Sequence, residues 1–274
     1  MNFEKAAVFY NKLRPQNRLL AEEVCAWLAQ HDVQARIITA LDKLSRTDLL
    51  ICMGGDGAML RCARRAAPLN VPVLGINCGT LGFLAACEKE NFKEALTDLF
   101  QGKFFLQERM MLSVRIQSPI GKIQELMALN ECVLRSEQSR ALTINARYNN
   151  RDLPPVFGDG VLIATPSGST AYSLAAGGPI IFPELEGFLA TPICPHMLTH
   201  RPLFLPADGV IELFPQFKTA KDSAYVSVDG QVNLPLPPDV RVQIFRSKAK
   251  AKLLMNPKRD FFTCLNRKLN WGSR

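Results

Sequence analysis

Between residues 5 and about 100, short apolar runs alternate with amphipathic segments of helical length, and after about residue 104 that alternation stops. Strand-like stretches at 5–11, 33–39, 48–53 and 71–76 are separated by helical spacing at 16–30, at 58–67 and near 91–100. Within 16–30, Leu19, Leu20, Val24 and Leu28 recur at helical spacing. Parallel neighbours need a long crossover, which a helix supplies, so this order predicts a parallel sheet with crossover helices. The later part reads as short β-like runs at 111–117, 123–134, 141–148, 160–165, 203–205, 210–214, 224–228 and 240–246. One helix interrupts them, from Ser169 or Thr170 to Gly177-Gly178-Pro179, whose glycines and proline mark a C-terminal end. The predicted organisation is an α/β domain at 1–105, a β-rich domain at 106–255, and a segment at 256–274, helix or extended tail, that packs back on the first.

With 274 residues and 47% apolar content the chain can bury a sizeable core. It has no apolar run long enough to span a bilayer, and no apolar signal region follows Met1-Asn2-Phe3-Glu4-Lys5, so a soluble cytoplasmic protein with no membrane partner is expected. Eight cysteines without a CxxC pair predict buried, reduced thiols. The one suggestive histidine pair, His196 and His200, is not read as a metal site. The formal charge of +8 admits nucleic acid, an acidic membrane or polyanionic small substrates. Scattered Arg61, Arg64, Arg65, Arg109, Arg135 and Arg140, with no nucleic-acid signature, favour small substrates and no nucleic acid, and the 246–252 cluster reads as a solvated face.

The stretch Gly54-Gly55-Asp56-Gly57 lies between an apolar strand and a helix. Glycines let the backbone approach a ligand, and free N–H groups at a helix start favour anionic oxygens, so this is a candidate phosphate loop with Asp56 free for proton chemistry. The competing reading is a tight turn in which Asp56 caps the helix. Neither the dinucleotide fingerprint G-x-G-x-x-G, the loop G-x-x-x-x-G-K-[ST] nor the elbow G-x-S-x-G occurs. Thr165-Pro166-Ser167-Gly168-Ser169-Thr170 places four hydroxyls before a helix, followed by Tyr172, which is more than capping requires and predicts a polar ligand. Asn130 and Glu131 are either a loop or bulge, or polar groups awaiting a hydroxyl-rich ligand such as ribose. Asp159 and Asp229, each ahead of a glycine, read as turn residues.

In order, GGDG at 54–57, LGINCGTLGFL at 74–84, Arg109-Met110, Asn130-Glu131, Asp159-Gly160 with TPSGSTAYSLAAGGPI at 165–180, Pro195-His196 with Arg201-Pro202, and Asp229-Gly230-Gln231 resemble the landmarks of the NAD kinase family. The resemblance runs from Asp48 to about Gln231. It implies an N-terminal α/β domain, a β-sandwich-like C-terminal domain and a site in the cleft between them. It also implies ATP-dependent, metal-assisted phosphorylation of NAD at the 2′-hydroxyl of its adenosine ribose. On this mapping Asp56 is the base, Gly54 and Gly55 form the phosphate loop, Gly57 lies beside the substrate, and Arg61 contacts phosphate. Asn130 and Glu131 bind the ribose and adenine side, and Asp159 holds the nicotinamide end. Thr170, Ala171, Tyr172, Ser173, Leu174 and Ala175 line the adenine and ribose pocket, which Gln231 closes. Mg²⁺ bridging the ATP phosphates is implied with no protein ligand assigned, as is a homodimer or homotetramer. Ala58 stands where the family usually has Thr, Phe157 where many members have Arg, and a further substrate-contact position falls on Ala141.

Two alternatives come from other classes. Diacylglycerol, sphingosine and phosphofructokinase families share a GGDG-type loop, which leaves a lipid or sugar kinase. A non-catalytic NAD-binding regulator would keep the site without turnover, although binding alone has no need of Asp56.

Overall fold

The computed structural model describes residues 3–80, 82–138, 140–219 and 222–272. Leu81 of the 74–84 motif, Met1 and Asn2, and the last two residues of the 256–274 segment lie outside these. The chain divides into two compact units, Met1–Glu108 with Lys250–Arg274, and Arg109–Ala249.

The first unit is built on a sheet in the order Gln34–Ile38, Lys5–Tyr10, Leu49–Met53, Val73–Asn77, Ala251–Met255 and Phe105–Arg109, with Cys87–Glu88 beside Val73–Asn77. Lys5–Tyr10, Gln34–Ile38, Leu49–Met53 and Val73–Asn77 run parallel in a continuous register. Helices Asn17–Ala29 and Asp56–Ala66 make the crossovers between them. Leu49–Met53 and Val73–Asn77 are buried at every position, as strands covered on both faces must be. Val24, Trp27 and Leu28 of Asn17–Ala29 and Phe92, Leu96 and Leu99 of helix Phe92–Phe100 pack with Val8, Ile51, Leu74 and Ile76. The strand order reverses at Lys5–Tyr10, which lies between its successor Gln34–Ile38 and Leu49–Met53. At such a reversal the carboxyl ends of the strands are where α/β sheets take up ligands, and the GGDG loop begins there. The strand Ala251–Met255, expected within the β-rich domain at 106–255, instead pairs through Leu253 with Val73 of the first sheet. Its local pattern does not say which sheet it joins.

The second unit holds two six-stranded sheets. One runs Arg151–Gly158, Leu142–Tyr148, Val210–Gln216, Arg241–Arg246, Leu112–Gln117 and Ile123–Ala128, and the other Leu203–Pro206, Gly187–Ile193, Gly160–Ala164, Glu131–Ser136, Ala224–Val228 and Val232–Leu236. The pairings are antiparallel. Leu112, Val114, Ile144, Leu213 and Val242 of one sheet share a single core with Leu134, Ile163, Phe188 and Val226 of the other, which makes the sandwich. Strands Arg151–Gly158 and Val232–Leu236 carry Pro154, Pro155 and Pro235 and lie at sheet edges, where a missing N–H costs no ladder bond. Those prolines concealed both strands in the sequence.

The 123–134 run is two strands in different sheets, Ile123–Ala128 and Glu131–Ser136, and the chain turns from one sheet to the other at Leu129-Asn130. A second crossing falls at Asp159, between Arg151–Gly158 and Gly160–Ala164. The expected helix from Ser169 or Thr170 is shorter than predicted: a 3₁₀ turn at Ser167–Thr170 and one α-turn at Tyr172–Ala175, separated because Ala171 (φ −102°, ψ −129°) is not helical. The C-terminal segment contains helix Phe261–Leu269. All eight cysteines are free thiols, yet Cys194 is exposed and Cys25 and Cys78 are half-buried, which corrects the expectation of uniform burial. Among the described residues no helix is long and apolar enough to cross a membrane.

Candidate active site

Asp56 opens helix Asp56–Ala66, and Gly55, in an extended conformation, is its N-cap. The Gly55 carbonyl accepts the first helical N–H groups, from Ala58 and Met59. The Asp56 carboxylate turns away from the helix. Oδ1 accepts the backbone N–H of Leu84 at 3.1 Å and Oδ2 that of Phe83 at 3.1 Å, and Lys268 Nζ lies 3.3 Å from Oδ2. Asp56 is therefore no helix cap; it ties the GGDG turn to the 82–84 loop. A carboxylate offers about four lone-pair positions, so these three donors fix its orientation and leave capacity for one more. A Cβ on Gly82 would stand 2.1 Å from Asp56 Oδ1, so this close approach requires glycine. Gly57 is exposed beside the acid. Arg61, one turn into the helix, has a buried Nε without a hydrogen-bond partner and a guanidinium 6.0 Å from the Phe9 ring centroid.

In the second unit the Asn130-Glu131 corner is held by Asp229. Its Oδ1 accepts the N–H of Asn130 at 2.8 Å and of Glu131 at 3.2 Å, and its Oδ2 that of Leu129 at 3.1 Å. Asp229 and Gly230 both have positive φ, and Gln231 N–H donates to Val228 O, forming the tight turn that Asp-Gly predicts. Asp229 is thus a turn residue whose carboxylate also clamps three successive backbone donors. Glu131 is 6% exposed and its Oε2 has no hydrogen-bond partner. Burial, and next to it the negative charge of Asp229, pushes the Glu131 carboxyl up to about 8. At neutral pH it is largely protonated and offers a donor as well as an acceptor.

Most hydroxyls of the 165–170 segment are spent on the fold. Thr165 Oγ1 donates to Leu129 O at 2.5 Å and accepts from Gly168 N–H, while Ser169 Oγ donates to Pro166 O and accepts from Ile181 N–H. Ser173 Oγ bonds Thr191 Oγ1, and Ser167 Oγ accepts from the buried Arg109 at 3.2 Å. These hydroxyls therefore also hold the fold: Thr165 staples the turn to the Leu129 carbonyl, and Ser169 closes the turn and holds Ile181. Gly168 belongs to the same staple, since a Cβ there would meet Asn130 O at 2.2 Å. Thr170, Ala171, Tyr172 and Leu174 remain half-buried and Ala175 exposed, and Tyr172 packs beside Val133, Leu162 and Leu189. Gln231 is exposed on its turn.

Asp159 is half-buried, its N–H bonded to Ile193 O and its carbonyl to Ser136 N–H. Phe157, where many family members carry Arg, stacks edge-on against His196 at 4.7 Å, with Lys218 Nζ 5.3 Å from its ring centroid. Lys218 thus sets a cation against the Phe157 ring. Ala141 is half-buried just before strand Leu142–Tyr148. Among the described residues no group of three or more His, Cys, Asp or Glu could hold a metal ion. Sequence reasoning missed Gly82, Lys268 and the clamping role of Asp229. Only their proximity reveals them, because each acts on a residue far away in the chain.

The ATP-NAD kinase N-terminal domain family matches residues 25–104, and the ATP-NAD kinase C-terminal domain family matches residues 129–255. An NAD kinase of Citrifermentans bemidjiense is 36% identical over 99% of this chain and 100% of its own length. One of Aquifex aeolicus is 38% identical over 82% of both chains. The crystal structure of an NAD kinase from Archaeoglobus fulgidus in complex with ATP superposes with a TM-score of 0.78 at 26% identity, covering 96% of this chain and 98% of that one. A yeast NADH kinase complexed with NADH shares the fold, with a TM-score of 0.88 at 24% identity over 100% of this chain and 89% of that one. With both domain families matched and relatives above 30% identity over nearly its whole length, this chain belongs to the NAD kinase family.

Proposed function

We propose that the chain transfers the γ-phosphoryl group of ATP to the 2′-hydroxyl of the adenosine ribose of NAD, giving NADP and ADP. Asp56 takes the hydroxyl proton, the freed oxygen bonds to the γ-phosphorus, and the bond from that phosphorus to the oxygen of ADP breaks. The observation that carries this reading is the Asp56 carboxylate, aimed by the N–H groups of Phe83 and Leu84 and with room for one further hydrogen bond. A ribose hydroxyl is a weak nucleophile, so a base held within hydrogen-bond reach contributes through geometry as much as through basicity. Gly54, Gly55 and Gly57 leave the loop open to phosphate oxygens, and Arg61 is assigned to a phosphate. Asn130, Glu131, Asp159, Thr170 to Ala175 and Gln231 are assigned to NAD. A neutral Glu131 with an unpartnered Oε2 suits a ligand that both donates and accepts. A divalent cation, carried by the triphosphate, would neutralise charge on the transferred group.

The test is NADP formation from NAD with ATP and Mg²⁺. NADP in proportion to ADP is expected. Phosphorylation of diacylglycerol but not NAD would install the lipid-kinase alternative, which the family match through residues 129–255 disfavours. Tight NAD binding without NADP would install the regulator. Eight free thiols fit a reducing cytoplasm. The exposed Met197, Leu198, Leu203 and Phe204, close together in sequence and running into an edge strand, support self-association of the second unit, to be read by light scattering.

A further inference from the structure

Lys268 stands in the last turn of helix Phe261–Leu269, more than two hundred residues from the acid it meets. The helix is fixed at its start, where Asp260 accepts the Thr263 N–H at 2.7 Å, and is anchored by the buried Cys264 and Leu265. Its Phe261 ring lies 6.3 Å from that of Phe83. Lys268 Nζ lies 3.3 Å from Asp56 Oδ2 and 4.8 Å from the Phe83 ring centroid. Phe83 also gives its N–H to the same carboxylate oxygen. An ammonium held between an aromatic face and a carboxylate is oriented, yet the two side chains keep 36% and 29% of their exposure, so the pair adds little to folding.

The GGDG loop itself contributes a negative charge and no cation. A triphosphate approaching a fixed carboxylate is repelled unless a positive group stands beside it, and charge on the transferring oxygens must be met in the transition state. We propose that Lys268 is part of the phosphoryl-transfer machinery: it neutralises Asp56 in the free protein and turns to the phosphoryl oxygens of the donor when the triphosphate binds. The assignment rests on the reading of Asp56 as the base of an ATP-dependent kinase. It gives the C-terminal helix a part in the reaction.

The experiment measures kcat and both KM values for the native protein, Lys268→Met and Lys268→Arg, with the thermal midpoint of each. For Lys268→Met, KM for ATP is expected to rise about tenfold and kcat to fall about 10- to 100-fold, with KM for NAD within about threefold and the midpoint unchanged. Lys268→Arg recovers most of the loss. Kinetics of Lys268→Met within about twofold of native, an effect confined to KM for NAD, an equal loss in Lys268→Arg, or a loss that follows a lowered midpoint would each overturn the assignment. A native protein that makes no NADP overturns the underlying reading, whereas an active native enzyme with an unaltered Lys268→Met overturns only the role of Lys268.

Discussion

The Asp229 carboxylate accepts the backbone N–H of Asn130 at 2.8 Å across 99 positions of sequence. Together with the Leu129 and Glu131 N–H groups it fixes the corner at which the chain leaves one sheet for the other. Asp229→Asn keeps the turn but sets an amide nitrogen against at least one backbone donor. The expected loss of folding stability is about 1–3 kcal/mol, read by urea denaturation, with a raised KM for NAD from the displaced corner.

Asp56→Asn retains an oxygen for one of the two N–H donors and removes the proton acceptor. We expect kcat to fall about 10²- to 10⁴-fold, while the dissociation constant for NAD stays within about threefold. Near-normal turnover would reject Asp56 as the base.

Gly82→Ala tests the same carboxylate from its other side. The added methyl would stand 2.1 Å from Asp56 Oδ1, so the acid or the 82–84 loop must move. The expected outcome is at least about a tenfold loss of kcat, with about 1–3 kcal/mol of stability lost to overpacking. Full activity would show that the orientation of the carboxylate is unimportant.

Glu131 gives the folded protein a pH dependence of definite sign. Its carboxyl ionises near 4.5 in the unfolded chain and is pushed up to about 8 by burial and then by Asp229. Between those values the folded state binds more protons, so stability falls as pH rises through the window, and the penalty is complete above it. Glu131→Gln removes this contribution. Stability of the variant relative to the native protein should rise from pH 5 to pH 8, by at most about 1.4 kcal/mol per pH unit. Guanidinium midpoints across that range measure it, and parallel profiles would exclude a buried, raised carboxyl.

The first unit was largely legible because its signals are local. Apolar runs such as Leu49–Met53 and amphipathic segments such as Asn17–Ala29 report directly on strands and helices buried against one another. The second was less so, for identifiable reasons. Edge strands tolerate Pro154, Pro155 and Pro235, which read as breakers, and one apolar run at 123–134 conceals a change of sheet. The four hydroxyls at 165–170 point to a polar ligand in the sequence, and only the structure shows that they also bond within the turn and to its neighbours.

By itself the sequence determined that an acid flanked by glycines follows a buried strand, and that the chain changes from α/β to β-rich near residue 104, since residue type and periodicity carry that information locally. Tertiary structure alone decided that the Asp56 carboxylate faces Phe83, Leu84 and Lys268 rather than its own helix, and that Asp229 holds the Asn130 corner. Hydrogen bonds and ion pairs between positions tens to hundreds of residues apart depend on the packing of whole sheets, and no local pattern encodes them.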